Sequence, residues 1–333
     1  MIFEDRPRLN TIYSVAGLIV TLVVMLAAAV WWLWMPSPVE PGYTFVTAWG
    51  GPGTGTGQFS DPTGIAVYRN EVFVSDARNA RIQVFDLAGH FLRQFGTKGK
   101  GPGQLGRPMN LTVAGGELYV ADYWNDRIAV FGLDGAPRRT LGHAGEGPGQ
   151  FQSPGGVAVA PRGDLYVAEF YGQRIQQLSA QGTFVRQWGR TGEKGVTPGH
   201  FNYPTDVALA PDGALYVADG YNDRIQVFDN KGGFLRKWGG PLGMNISGSF
   251  NGWFSTVTGI ALDGGGNLFA ADFHNHRVQK FSSDGRFLTA FGRRGAGPGE
   301  FTLPIAVAVA GDGSVFVTDF GNNRIQKWRP IRP

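Results

Sequence analysis

One motif recurs six times along this chain of 333 residues and constrains its fold more than any other feature. An acidic residue is followed three positions later by asparagine and five positions later by arginine, and alternating apolar residues come next. Successive motif arginines stand 46, 47, 50, 53 and 47 residues apart. A period of this length is typical of solenoids, propellers and other repeat arrays. Each repeat is therefore a small unit that buries its apolar surface against its neighbours.

The motif residues have a predicted structural role because they recur in nearly every repeat. Asp and Asn side chains can hydrogen-bond the backbone of the loop that contains them. Each arginine can pair with an acidic residue of its own or a neighbouring repeat. Gly172 replaces the asparagine of the third copy, and His274 and His276 make the fifth copy different. The motif residues are Asp76, Asn79 and Arg81; Asp122, Asn125 and Arg127; Glu169 and Arg174; Asp219, Asn222 and Arg224; Asp272, Asn275 and Arg277; and Asp319, Asn322 and Arg324.

Each repeat contains four short runs rich in Val, Ile, Phe and Tyr, separated by Gly, Asp-Gly and Pro. Such runs indicate β-hairpins, and no periodic helical pattern follows residue 42. We therefore predict an all-β fold, a six-bladed β-propeller with four-stranded blades. The sixth copy stops at Trp328, after its third strand, while residues 45–50 match the fourth strands at 91–96 and 287–292. The N-terminal strand is predicted to complete the last blade.

These repeats resemble the NHL-repeat family of propellers over about residues 43–329. The most specific elements are the two Leu-Tyr-Val-Ala-Asp segments that begin at Leu118 and Leu215, each followed by the motif asparagine and arginine. The resemblance implies the propeller fold. It implies little about function, because such propellers serve as binding modules, sensors and a few enzymes.

The N-terminal segment predicts a membrane anchor. Residues 9–39 contain no charge, and the 23 residues 12–34 are almost wholly apolar. At about 1.5 Å per residue they reach about 34 Å, enough to cross a hydrocarbon core. Arg6 and Arg8 precede this span, and the next basic residue is Arg69. We expect a cytoplasmic stub (1–11), a transmembrane helix (12–34), a linker (35–42) and a propeller (43–333) that is periplasmic or extracellular.

A cleaved signal peptide is the alternative, with residues 27–29 as its cleavage site. The apolar run is longer than the usual signal-peptide core of about 7–15 residues, and Trp31, Trp32 and Trp34 suit a membrane interface. In both cases the propeller is exported. With the helix retained, the chain is a single-pass protein of the cell (inner) membrane, and the linker is expected to bring the acidic face of the propeller or its rim nearest that membrane.

We expect no catalytic activity, no cofactor, no metal site and no nucleic-acid binding. The chain has no cysteine, which excludes thiol catalysis, cysteine-ligated zinc and iron–sulfur clusters. In the family that these repeats resemble, enzymes such as the peptide-amidating lyases have metal-binding histidines around the central channel, but the positions before the first strands carry none here. Asn110 and Asp206 stand there, too few oxygen ligands for calcium. The alternatives are a lactonase-like hydrolase or lyase acting through these two residues, or a ligand sensor.

The predicted partner surface lies on the face where the motif loops and the inter-blade loops emerge. It combines an apolar loop between blades 4 and 5 with basic residues of other inter-blade loops. We expect it to bind another membrane or exported protein, as a scaffold or a docking or stabilising subunit of a larger membrane assembly. The alternative is that the apolar loop folds back as a plug. The predicted residues are Leu242, Met244, Ile246, Phe250, Trp253 and Phe254, and Lys98, Lys100, Arg107, Arg190, Arg293 and Arg294.

Overall fold

The computed structural model describes residues 6–332, and it describes the side chains of residues 13–29 and 35–332. In chain order, α1 spans Arg6–Trp34, β1 spans Tyr43–Gly50, and blade 1 contains β2 (Pro62–Tyr68), β3 (Glu71–Asp76), β4 (Arg81–Asp86) and β5 (Phe91–Phe95). The short strands β6 (Thr97–Lys98) and β7 (Gln104–Leu105) lie in the following loop. Blade 2 contains β8 (Pro108–Ala114), β9 (Glu117–Asp122), β10 (Arg127–Gly132) and β11 (Pro137–Leu141).

The remaining four blades repeat this pattern. Blade 3 contains β12 (Pro154–Val159), β13 (Leu165–Glu169), β14 (Arg174–Leu178) and β15 (Phe184–Gly189). Blade 4 contains β16 (Pro204–Leu209), β17 (Leu215–Asp219), β18 (Arg224–Phe228) and β19 (Phe234–Trp238). Blade 5 contains β20 (Val257–Leu262), β21 (Leu268–Asp272), β22 (Arg277–Phe281) and β23 (Phe287–Phe291). Blade 6 contains β24 (Pro304–Val309), β25 (Val315–Asp319) and β26 (Arg324–Pro330). Four 3₁₀ turns in the described chain span Tyr123–Asn125, Gly220–Asn222, Pro241–Gly243 and Phe320–Asn322.

Each blade is an antiparallel four-stranded sheet whose strands follow one another in chain order. The first strands of neighbouring blades contact each other in a closed ring, from β2 through β8, β12, β16 and β20 to β24 and back to β2. They line the central channel, and the fourth strands form the outer rim. Because strand direction alternates, the motif loops and the inter-blade loops share one face of the ring. The six-bladed, all-β fold predicted from the repeats is confirmed.

The ring is closed by the N-terminal strand, as the sequence predicts. β1 pairs antiparallel with β26, from Tyr43 opposite Pro330 to Gly50 opposite Arg324. Trp49 fixes this strand in the core, with its ring 5.8 Å from Phe85 and 6.1 Å from Phe316. Closure therefore rests on backbone hydrogen bonds along the strand and on aromatic packing against blade 1.

The core lies in the gaps between blades, and each inter-blade loop contributes one buried residue to it, a phenylalanine in five loops and a leucine in one. Phe254 belongs to this set, so the prediction that it forms part of an exposed partner loop is wrong. It is fully buried, and its ring lies 5.5 Å from Phe281. The hydrophobic effect accounts for this position, because the gap between blades 4 and 5 would otherwise be empty. The equivalent buried residues are Phe59, Leu105, Phe151, Phe201 and Phe301.

The linker packs on the rim of blade 5. The backbone N–H groups of Val39 and Glu40 both donate to the carbonyl oxygen of Leu288, at 2.9 and 3.3 Å. The Glu40 carboxylate accepts a hydrogen bond from Lys280 Nζ at 2.6 Å. Leu288 is thereby only 2% exposed, whereas Leu92, at the same position of β5, is 46% exposed. The linker is thus a segment docked on blade 5.

The start of the linker reaches the loop between blades 4 and 5. Asn251 Nδ2 donates to the carbonyl oxygen of Pro36 at 3.1 Å. Met35 and Pro36 line a groove of about 550 Å³ together with Gly252 and Trp253. The end of α1 therefore lies beside this loop.

Within the described side chains, no helix combines the length and the continuous apolar character that a membrane crossing requires. The predicted span 12–34 extends beyond that set, because the side chains of residue 12 and of residues 30–34 lie outside it. The three tryptophans of the predicted interfacial belt are among those residues.

Candidate functional site

The motif residues form a buried structural network. In each of the six described motifs, the arginine Nε donates to the carboxylate of its own blade at 2.7–3.1 Å. In blade 4, Arg224 Nη2 also donates to the carbonyl oxygens of Thr197 and His200, at 3.3 and 3.0 Å. The arginine thus joins its motif loop to the preceding inter-blade loop. Burial raises the pKa of Asp219, and the Arg224 charge opposes that rise.

The exception in blade 3 has a steric explanation. In the other blades the asparagine amide donates to the motif aspartate, as Asn125 Nδ2 does to Asp122 Oδ2 at 2.7 Å. Glu169 is longer by one methylene, and a Cβ on Gly172 would lie 2.6 Å from its Oε2. Glu169 therefore occupies the space of the missing asparagine side chain. It still accepts hydrogen bonds from Arg174 Nε at 2.7 Å and from the Gln152 N–H at 2.9 Å.

A second set of hydrogen bonds joins neighbouring blades. The residue just before the motif arginine lies in a left-handed conformation, and in five blades its side chain accepts an N–H of the next inter-blade loop. His276 does so through Nδ1, which accepts the Leu303 N–H at 3.1 Å. Burial lowers the pKa of His276, which suits a neutral acceptor. Sequence reasoning missed this set because its members differ in type: Asp126, Gln173, Asp223, His276 and Asn323.

The central channel opens on the motif face into a cavity of about 230 Å³. Asp206 and Asn110 lie where this cavity meets the channel. Asp206 Oδ2 accepts the Ile260 N–H at 2.9 Å, and Oδ1 has no hydrogen-bond partner within the described residues. Burial raises the pKa of Asp206 to about 7, against the opposing effects of the Ile260 N–H and the Asn110 side chain. Near neutral pH this carboxyl can thus either donate or accept a hydrogen bond.

Aromatic side chains surround one side of the cavity. Phe170 stacks on Tyr203 with ring centroids 4.7 Å apart, and Tyr203 lies 5.0 Å from Tyr221. Trp124, Tyr171 and Tyr221 are each about half exposed, from 49% to 55%. Sequence reasoning did not identify this cluster. The signal was present, since aromatic residues directly follow the motif acid in several copies.

Basic side chains flank these aromatic rings. Lys194 Nζ lies 4.1 Å from the Tyr203 ring centroid and donates to its hydroxyl at 2.8 Å. The Arg107 guanidinium lies 5.4 Å from the Trp124 ring centroid and pairs with Asp61 at 3.2 Å. We call Arg107, Trp124, Tyr171, Lys194, Tyr203 and Tyr221 the aromatic–basic surface.

The other predicted basic residues are exposed on the same face. Arg190 pairs with Glu193 at 3.8 Å and Arg293 with Glu300 at 3.1 Å. Lys98, Lys100 and Arg294 are exposed in their inter-blade loops. Of the six predicted basic residues, the structure thus brings one, Arg107, into the aromatic–basic surface.

The predicted apolar loop is divided between core and surface. Leu242, Met244, Ile246 and Phe250 are exposed, whereas Trp253 is half-buried with its ring 5.4 Å from Phe250. Among the described residues, no group of three or more His, Asp or Glu side chains has the arrangement of a metal site.

Comparison with known proteins identifies the repeats. The NHL repeat matches residues 59–85, 151–178, 201–228, 254–281 and 301–328. No curated protein matches the chain.

Several solved structures share the fold at low sequence identity. A structural genomics protein of unknown function from Bacteroides thetaiotaomicron has 16% identity and a TM-score of 0.68, over 87% of this chain and 76% of that one. A virginiamycin B lyase from Staphylococcus aureus has 19% identity and a TM-score of 0.57, over 83% and 97%. Hydrazine synthase from Kuenenia stuttgartiensis has 15% identity and a TM-score of 0.54, over 82% and 83%. These similarities concern the fold alone. This chain is a six-bladed β-propeller that contains five NHL repeats.

Proposed function

We propose that this chain is a non-catalytic interaction module, held at the outer side of a membrane by its N-terminal helix, that docks on another membrane or exported protein as a scaffold or subunit of a larger assembly. The observation that carries the proposal is the aromatic–basic surface. Exposed Trp and Tyr side chains flanked by Arg and Lys have the composition of protein–protein contact sites. One residue of this surface, Tyr221, also lines the cavity at the mouth of the channel.

The anchor is supported by the character of α1. The large apolar side chains from Tyr13 to Leu26 are 52–69% exposed, so the propeller does not cover them. A helix that is apolar on all sides requires an apolar environment, and a bilayer supplies one. The basic residues before the helix support an orientation with the propeller outside the cytoplasm.

The test is a comparison of partner recovery between two variants of the full chain. In the first, Trp124→Ala, Tyr171→Ala and Tyr221→Ala remove the exposed rings of the aromatic–basic surface. In the second, His90→Ala removes an exposed side chain from the opposite face, where His90 Nδ1 pairs with Asp86 at 2.8 Å.

After gentle solubilisation of native membranes, mass spectrometry of the copurified proteins should show one partner retained by the wild type and by His90→Ala and lost from the triple variant. Equal recovery of every copurified protein by all three chains would contradict the proposed surface. Recovery of the wild type in a soluble fraction without detergent would contradict the anchor.

Asp206 favours a second candidate, a pore-mouth hydrolase or lyase or a sensor of a small ligand. Asp206 lines the cavity, and its pKa near 7 suits proton transfer. Stoichiometric zinc or calcium in the purified chain, lost on Asp206→Ala, would favour an enzyme. A metal-free chain that binds a small polar ligand through Asp206 would favour a sensor.

A further inference from the structure

We infer that the loop between blades 4 and 5 inserts its apolar tip into the outer leaflet of the membrane that holds α1, and so gives the propeller a second lipid contact. The tip comprises Leu242, Met244, Ile246 and Phe250, which are 45–66% exposed. This inference rests on the proposed anchoring of α1.

The loop differs from the other inter-blade loops in charge. Residues 238–262 contain no Asp, Glu, Lys or Arg, although every other inter-blade loop contains at least one. The loop between blades 1 and 2 carries Lys98 and Lys100, and that between blades 5 and 6 carries Arg293 and Arg294. Uncharged polar residues, such as Asn245 and Ser247, separate the apolar side chains of the tip. An exposed, uncharged and apolar segment is suited to the boundary between headgroups and acyl chains.

One apolar residue of the tip, Leu242, has an unfavourable backbone conformation. Leu242 has φ 55° and Asn245 has φ 59°, both in the left-handed region. A bulky residue rarely adopts this region. Tyr203, Thr256 and Leu303 also do so, but each stands directly before the first strand of a blade, whereas Leu242 lies outside that repeated position. Leu242 has the largest exposed fraction of the tip, 66%. Burial in the propeller therefore does not explain why leucine stands at this position.

The position of the docked linker puts the tip close to the membrane. Its first residues, Met35 and Pro36, follow directly after α1 and line the same groove as Trp253. Trp253 in turn contacts Phe250 of the tip, with ring centroids 5.4 Å apart. Wherever the end of α1 leaves the bilayer, this groove and the adjoining tip must lie close to it. Lipid is therefore the nearest apolar phase available to the tip.

The composition also favours lipid over a protein partner. The residues that dominate the binding energy of protein contact sites are enriched in Trp, Tyr and Arg, and leucine is under-represented among them; this chain presents Trp, Tyr and Arg on the aromatic–basic surface instead. The tip offers Leu, Met, Ile and Phe. The basic residues Arg277 and Lys237 lie beside it: Arg277 Nη2 donates to the Phe250 carbonyl oxygen at 2.7 Å, and Lys237 lies against Gly243. Transfer of each exposed aliphatic or aromatic side chain from water to an acyl environment is favourable.

The absence of cysteine allows a direct test on the full chain. Leu242→Cys and Ile246→Cys are each labelled with the environment-sensitive dye NBD. Leu92→Cys is the matched control, because Leu92 is as exposed as Ile246 and lies on the rim of blade 1, three blades away. Each labelled chain is reconstituted into vesicles of phosphatidylcholine with a minor share of phosphatidylglycerol, and its thermal midpoint is compared with that of the unlabelled chain.

The expected result is blue-shifted emission at positions 242 and 246, with quenching by doxyl-labelled lipid several-fold stronger than at position 92. Should the reconstituted chains float with the vesicles while all three probes remain in water, the lipid contact is wrong and the anchor stands. Chains that do not float overturn the anchor and this inference together. If the labelled tip variants lose thermal stability, Met244→Cys replaces them under the same criteria.

Discussion

Arg224 and Asp219 form an ion pair that is completely withdrawn from solvent, with Nε 2.7 Å from Oδ2 and neither side chain exposed. Asn222 and Gln226 donate to the same carboxylate at 2.9 and 3.0 Å. The carboxylate thus replaces its lost hydration with four kinds of donor, including the Asn202 N–H at 2.8 Å. A buried charge of this kind is tolerated only while all its partners remain.

Removing the arginine of this pair is therefore expected to destabilise the propeller strongly. Arg224→Leu leaves Asp219 buried and uncompensated, and we expect the free energy of unfolding to fall by about 3–5 kcal/mol. Urea denaturation followed by circular dichroism measures the change. Arg190→Ala is the control, because Arg190 is exposed and lies 3.8 Å from Glu193. It should change stability by less than about 1 kcal/mol. A loss of similar size in both variants would contradict the assigned role.

In blade 3, Glu169 and Gly172 replace the aspartate and asparagine of the other motifs, and we predict that mutations at these two positions have non-additive effects on stability. Glu169→Asp leaves a void beside Gly172, and Gly172→Asn places a side chain against Glu169 Oε2. Each single change should cost about 1–3 kcal/mol of unfolding free energy. The double change restores the arrangement of the other blades, so it should cost less than the sum by at least about 1 kcal/mol. Thermal denaturation of the four chains measures this coupling. Strict additivity would show that the two positions act independently.

Asp206 predicts a pH-dependent difference in stability. Its pKa is about 7 in the folded chain and about 3.9 in an unfolded one. Between these values the folded state binds more protons, so this residue lowers the free energy of unfolding as pH rises from about 4 to about 7. Asp206→Asn removes the titration. Relative to the wild type, this variant should become more stable between about pH 5 and about pH 8. Urea denaturation at both pH values tests this, and a constant difference would contradict the raised pKa.

Neighbouring residues of the loop between blades 4 and 5 should respond differently to truncation. Phe254→Ala opens a cavity in the core and should cost about 3–5 kcal/mol of unfolding free energy. Phe250→Ala removes an exposed ring and should cost less than about 1 kcal/mol. Differential scanning calorimetry of both detergent-solubilised variants provides the measurement. Equal losses would place Phe250 in the core as well.

The sequence predicts the fold well because the repeats carry it. The six arginines mark the start of the third strand in each blade. The match of residues 45–50 to a fourth strand identifies the closing strand before any contact is known. Phe254 could also have been placed correctly, since it stands in phase with Phe201 and Phe301. The other apolar residues of the loop between blades 4 and 5 made this correspondence difficult to recognise. Periodicity therefore identifies core positions even inside irregular loops.

The site is less predictable because it depends on relations between blades. The cluster of Phe170, Tyr203 and Tyr221 draws on three loops and forms only when the ring closes. The raised pKa of Asp206 likewise depends on burial by other blades. The docking of the linker on Leu288 has no local signal, since its contacts are mainly backbone hydrogen bonds. Such features follow from tertiary geometry and not from spacing along the chain.

The docked linker also gives the ring a defined order of mechanical failure. A pulling force on α1 reaches Pro36 and the hydrogen bonds of Val39 and Glu40 before it reaches β1. Those contacts belong to blade 5, whereas β1 belongs to blade 6. Tension on α1 is thus borne first by blade 5, and the closing strand bears load only after blade 5 has released the linker. The docked linker therefore protects the closing strand from force applied to α1.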